Sequence, residues 1–145
     1  MRRESRYLRG LVLIYIQSVT ESAPMPSVPM PAPQARGGLP PGATRRVLEY
    51  VETHLSEKID LAVLAGVAGF SVFHFAREFK QTAGVTPHFY LLQKRVQRAK
   101  EMLTRTDLSL SEIALAAGFA DQSHLARHFR RIVGSTPREF RWSRR

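Results

Sequence analysis

Residues 61–87 read LAVLAGVAGFSVFHFAREFKQTAGVTP and residues 110–137 read LSEIALAAGFADQSHLARHFRRIVGSTP, so one pattern is written twice about fifty positions apart. Leu61, Leu64, Ala65, Gly69 and Phe70 fall on Leu110, Ile113, Ala114, Gly118 and Phe119 at an offset of 49. Past one inserted residue near Ala120, His74, Ala76, Arg77, Phe79, Gly84, Thr86 and Pro87 fall on His124, Ala126, Arg127, Phe129, Gly134, Thr136 and Pro137 at an offset of 50. The slip lies in a turn, where an insertion disturbs least. A chain that repeats one short unit folds as two copies of that unit, and the order within each copy is a short helix, a turn beginning at Gly and a second helix with a basic outer face. This is the order of a helix-turn-helix, whose second helix enters a DNA major groove.

The remaining elements follow from spacing and caps. Thr44 is read as an N-cap, with Val47, Leu48, Val51 and Leu55 at helical spacing and an end near Ser56. Asp60 caps a second helix that runs through Gly66 or Val67, and Ser71 caps a third that runs to about Ala83 and stops at Gly84. Thr86 and Pro87 open a long fourth helix to about Thr106, one face of which carries Phe89, Leu92, Val96, Ala99 and Leu103. Ser109 and Glu112 form a capping box for the fifth, the sixth runs from about Asp121 to Val133, and Thr136 with Pro137 starts a short seventh. The expected fold is all-α: seven helices forming two three-helix units joined by the long linker helix, with helix-turn-helix units at about 60–83 and 109–133 inside a domain spanning 44–145.

Residues 1–43 read differently. Apolar residues at 7, 8, 11, 12, 14, 15 and 16 predict a short helix, and residues 23–42 carry seven prolines, which precludes a helix and favours an extended linker. The apolar run 11–16 is shorter than the roughly 20 residues of a membrane span, so neither an anchor nor a leader is expected. The N-terminal helix is a candidate homodimer surface, and removal of 1–43 is expected to leave DNA contact intact.

The chain carries 22 Lys and Arg against 12 Asp and Glu, a net charge of +10 that suits a polyanionic partner. Residues 44–85 hold five basic and five acidic side chains, net zero, whereas residues 86–145 hold twelve and five, net +7. The phosphate attraction is therefore expected from the second half. The absence of Cys excludes disulfides, thiolate metal sites and cysteine nucleophiles, and agrees with a reducing, cytoplasmic setting.

A step of about 100° per residue divides each second helix into two sides. Phe75, Phe79 and Thr82 share one side of the first and Phe73, Ala76, Arg77 and Lys80 the other, while Leu125, Phe129 and Val133 oppose Ser123, Ala126, Arg127 and Arg130 in the second. The aromatic sides are core. An outward Arg is either a solvated charge, or a partner for Glu78 or Asp121 worth under about 1 kcal/mol, or a bidentate partner of guanine, and its repetition at Arg77 and Arg127 favours the guanine contact. Outward Phe73 suits a thymine methyl or deoxyribose. Lys80, Arg130 and Arg131 suit phosphates, as do the helix N-termini at Ser71, Thr86, Asp121 and Thr136, although capping alone accounts for those residues equally well. His124 and His128 lie four apart, but no third ligand or HExxH glutamate accompanies them, so no metal or other cofactor is expected; His124 is read as a donor to DNA. His54 and His74 are read as surface residues and Trp142 as a cover for the core.

From about Thr44 to Arg141 the sequence resembles the DNA-binding domain of AraC/XylS-type bacterial transcription regulators. The second half shows the pattern as Ile113 and Ala114, Gly118 and Phe119, Asp121, Ser123, Leu125, Arg127, Phe129 to Arg131, Gly134, Thr136 and Pro137, with Phe140 where Tyr is usual. The first half shows it as Leu64 and Ala65, Ser71, Phe75, Arg77, Phe79 and Lys80, Gly84, Thr86 and Pro87. The resemblance implies two helix-turn-helix units set into successive major-groove segments of double-stranded DNA, with a linker helix of about 30 Å matching the ~34 Å turn of the duplex. It also implies Phe73, Ala76 and Arg77 as base readers in the first unit and Ser123, His124 and Arg127 in the second, with Val72 and Gln122 behind them.

Members of that family usually carry an N-terminal effector or dimerisation domain of over a hundred residues, and the helix near residues 8–17 is similar to the last helix of such a domain, so a truncated regulator lacking its effector domain is one alternative. Another is a helical adaptor that binds protein, RNA polymerase included, through the same basic helices. An enzyme is not expected, since no nucleophile, acid and base cluster in the sequence.

Overall fold

The computed structural model describes residues 37–144, and the predicted N-terminal helix and its dimer surface lie outside them. Seven helices follow in order: α1 (Pro41–Thr53), α2 (Leu61–Ala68), α3 (Val72–Ala83), α4 (Pro87–Arg105), α5 (Leu110–Ala116), α6 (Gln122–Val133) and α7 (Pro137–Ser143). The described residues divide into two compact units, the first holding 37–50 together with 60–88, the second holding 51–59 and 89–144.

The caps read from the sequence explain most of these boundaries. Asp60 accepts the amide of Val63 at 2.9 Å, Ser71 that of His74 at 3.3 Å and Asp121 that of His124 at 2.7 Å, each satisfying a first-turn donor that would otherwise be orphaned. The Ser109 and Glu112 box is closed in both directions, at 3.1 and 2.8 Å. Helices α3 and α6 both stop at a left-handed glycine, Gly84 and Gly134.

The start of α1 departs from the reading. Pro41 occupies its first turn, where a fixed φ suits the helix and a missing N–H costs nothing. Thr44 is therefore not the N-cap but a first-turn residue, and its amide and hydroxyl both donate to the carbonyl of Pro40 at 3.0 and 3.1 Å. Leu39 and Ala43 are buried, so the end of the proline-rich segment packs into the first unit. Residues 39–43, read from the sequence as linker, therefore belong to the fold of the first unit.

In the first unit Val47, Leu48, Leu64, Ala65, Ala68, Phe75 and Phe79 are buried, the rings of Phe75 and Phe79 5.6 Å apart. Arg46 donates to the carbonyls of Val67 and Ala68 at 3.2 and 3.4 Å and so closes the C-terminus of α2. In the second unit Leu92, Val96, Ala99 and Leu103 of α4 pack with Ile113, Ala114, Phe119, Leu125, Phe129 and Phe140. At about 1.5 to 3 kcal/mol for each large buried side chain, this cluster is the main stabilising term of that unit.

Two arginines secure loops in the second unit. Arg95, buried on α4, donates to the carbonyls of Leu55 at 3.2 Å and Glu57 at 2.9 Å, and burial lowers its pKa from the usual guanidinium value. Arg141 of α7 donates to Leu103 and Thr106 at 3.2 and 3.3 Å, closing the C-terminus of α4. Gly118 lies where a Cβ would collide with the carbonyl of Leu55 and with Arg95, and its φ of +95° is left-handed, so both space and backbone exclude other residues there. Trp142 does not cover the core: it is 84% exposed, because Phe140 takes the inward position of α7 and a residue two further on lies about 200° around the helix.

Candidate nucleic-acid interface

The chain bends by 80° between α2 and α3, which turns the second helix of the pair across the first. Phe75, Phe79 and Thr82 line the buried side of α3. On the opposite side Phe73 is 80% exposed, with Val72, Arg77 and Lys80 also exposed. A phenyl ring held in water by a helix whose other face is full has no packing role in the unit. Ala76 is half-buried at the shoulder rather than fully outward, since it precedes Phe79 by three residues and so lies within about 60° of the buried row.

In the second unit Leu125 and Phe129 are buried and Gln122, Ser123, Arg127, Arg130 and Arg131 are exposed. Val133 is only half-buried, near the end of α6. His124 is half-buried and its Nδ1 accepts the amide of Ala120 at 3.2 Å. In the neutral ring the proton then sits on Nε2, which makes that nitrogen a donor. The ring is held from the sides as well, edge-on to Phe119 at 5.5 Å and to His128 at 4.6 Å. The first unit repeats the pairing with Phe70 and His74 at 4.9 Å.

The phosphate candidates divide. Lys80, Arg130 and Arg131 are exposed, as are Ser71 and Thr86. The hydroxyl of Ser71 accepts from His74 within its own cap and keeps a proton to donate. Thr136 differs: its hydroxyl accepts the amide of Glu139 at 3.1 Å and its amide donates to the Glu139 carboxylate at 3.2 Å. Pro137 has no N–H, so a carboxylate rather than a set of open donors faces the start of α7. That second capping box was legible as Thr-x-x-Glu at 136–139 and is a sequence signal the reading passed over.

Glu78, offered by the sequence only as a surface charge partner for an outward arginine, is buried instead. It lies between Phe75 and Thr82 on the inward row, 7% exposed, where a carboxylate needs donors. One oxygen accepts the amide of Gly38, and the other lies 3.4 Å from Arg77 Nη2 and 3.4 Å from His74 Nε2. The signal was a charge at inward helical spacing; its partner, forty residues away, was not visible.

The description "Helix-turn-helix domain" belongs to a family model that matches residues 64–143. The probable transcriptional regulator LumQ of Photobacterium leiognathi is 38% identical over 93 residues, 64% of this chain and 38% of that protein. The transcriptional activator RhaS of Enterobacter sp. (strain 638) is 34% identical over 99 residues, 68% of this chain and 36% of its own length. The chain thus spans under two-fifths of these two relatives. Among solved structures, a transcriptional regulator with an AraC-type DNA-binding domain from Chromobacterium violaceum is 31% identical with a TM-score of 0.67, covering 71% of this chain and 92% of that one. The DNA-binding domain of AdpA, solved in complex with a target DNA, is 34% identical with a TM-score of 0.66, over 68% and 89%. Taken with the doubled helix-turn-helix, the chain belongs to the AraC-type helix-turn-helix family of DNA-binding domains.

Proposed function

We propose that this chain is a sequence-specific double-stranded DNA-binding transcription regulator in which α3 and α6 each read a major-groove segment. The observation that carries the reading is the same division of both helices, a buried aromatic side and an opposite side exposing an arginine at the same repeat position, Arg77 and Arg127. The AdpA domain, similar over most of its length and solved on its target DNA, supports it.

In this reading Phe73, Ala76 and Arg77 contact bases in one segment and Ser123, His124 and Arg127 in the other. The arginines suit guanine O6 and N7, the Nε2–H of His124 suits an acceptor, and Phe73 suits a thymine methyl. Ser71, Lys80, Thr86, Arg130 and Arg131 hold the backbone. RNA polymerase as a further partner, a homodimer through residues 7–16 and a cytoplasmic location in a bacterium belong to the same proposal and rest on the sequence.

Selection of bound duplexes from a random DNA pool tests it. The expected product is a motif of two short blocks about one helical turn apart. Equal binding to the selected and a scrambled duplex overturns the proposal and favours the protein-binding adaptor.

A further inference from the structure

We infer that Glu78 is a positioning residue for base reading by Arg77, and that the chain just before α1 holds it in place. The inference rests on the groove-reading role proposed for α3.

Residues 37–39 form a strap across the C-terminal half of α3. The amide of Gly38 donates to Glu78, and the amide of Leu39 donates to the buried hydroxyl of Thr82 at 2.7 Å. Leu39 is itself buried. Gly37 has a left-handed φ of +88°, which strains any residue with a Cβ, and a Cβ there would also push aside the side-chain amide of Gln81. Three consecutive residues of the linker thus meet three residues of the helix, Glu78, Gln81 and Thr82.

The carboxylate divides its two oxygens between different tasks. Oε2 takes the strap amide; Oε1 faces the Arg77 guanidinium and the His74 ring, both on the side of the helix open to solvent. A guanidinium has five N–H donors in a fixed fork, so a contact through Nη2 leaves others for a base while removing rotamer freedom that binding would otherwise have to remove. The anchor also matters in the opposite sense. A carboxylate released from the strap would be free to turn outward toward DNA phosphates, where like charge opposes binding. In the second copy the position of Glu78 is taken by His128, so this arrangement belongs to the first unit alone.

The test uses the full chain and duplexes carrying single base-pair changes in each block of the selected motif. Arg77→Ala identifies the base pair that residue reads. Glu78→Gln keeps an acceptor for Gly38 but loses the charge beside Arg77; Gly37→Val displaces the strap and leaves every groove-facing side chain in place. Each variant is expected to lower discrimination at the Arg77 base pair by about tenfold, within the range a bidentate guanine contact supplies. Discrimination in the block read by α6 is expected to stay unchanged, and introducing either variant into Arg77→Ala is expected to cost nothing more at that base pair. Retained discrimination in both variants, with Arg77→Ala abolishing it, overturns the positioning role while the groove reading stands. Equal loss in both blocks overturns it in favour of general destabilisation. If Arg77→Ala leaves the selected motif unchanged, the groove reading of α3 falls, and the inference with it.

Discussion

Phe73 and Phe75 lie two positions apart in one helix and have opposite surroundings, one ring 80% exposed and the other fully buried. Their substitutions should separate accordingly. Phe73→Ala is expected to leave the unfolding midpoint unchanged and to relax the selected motif in one block, with little change in salt dependence, as checked by repeating the selection and a salt titration; an unchanged motif would remove Phe73 from the interface. Phe75→Ala is expected to cost about 3 to 5 kcal/mol of stability, as for other buried aromatics, measured by urea unfolding. Arg95 makes the same point for a charge. Arg95→Ala leaves the carbonyls of Leu55 and Glu57 without their donor and opens a gap beside Gly118, so a loss of about 2 to 4 kcal/mol is expected. Lysine should not rescue it, because one ammonium does not reproduce the planar fork that reaches two carbonyls.

At the level of elements, caps were the most legible feature and the first helix the least. Asp60, Ser71, Ser109 and Asp121 act where their side chains can reach the amide three residues on, a distance set by local geometry alone. The start of α1 depended on something else: Leu39 and Ala43 find places in the core of the first unit, which draws Pro41 and Gly42 into the helix although a run of prolines reads as linker. A chain beginning at residue 44 is therefore expected to lose about 3 kcal/mol or more from the first unit, from two buried side chains and the strap bonds. A chain beginning at residue 37 is expected to unfold like the full one. Thermal unfolding of the two truncations beside the parent decides the matter.

For the molecule as a whole, charge is partitioned along the chain, net zero over residues 44–85 and +7 over 86–145. Residues 86–145 should supply most of the phosphate attraction. Replacing Arg130 and Arg131 together by Ala is expected to reduce the slope of log affinity against log salt by up to about two units while the selected motif is kept, since each neutralised phosphate contributes about 0.9. An unchanged slope would show that these two side chains, exposed as they are, do not meet the backbone.

The sequence by itself determined the repeat, the all-helical class, the two helix-turn-helix units and the caps that bound them, because each of these is written in residues fewer than five positions apart or in a pattern copied whole. It also separated Phe75 and Phe79 from Phe73 and Arg77, since the turn of a helix is a local property. What only the tertiary structure decided are the long-range partners: that Trp142 faces solvent, that Arg95 and Arg141 hold carbonyls thirty-five to forty residues away, and that the end of the linker grips Glu78 on the reading helix. The physical reason is common to all of them. A buried polar group or a large ring must be satisfied by whatever the fold brings to it, and sequence spacing carries no information about a neighbour that arrives through space.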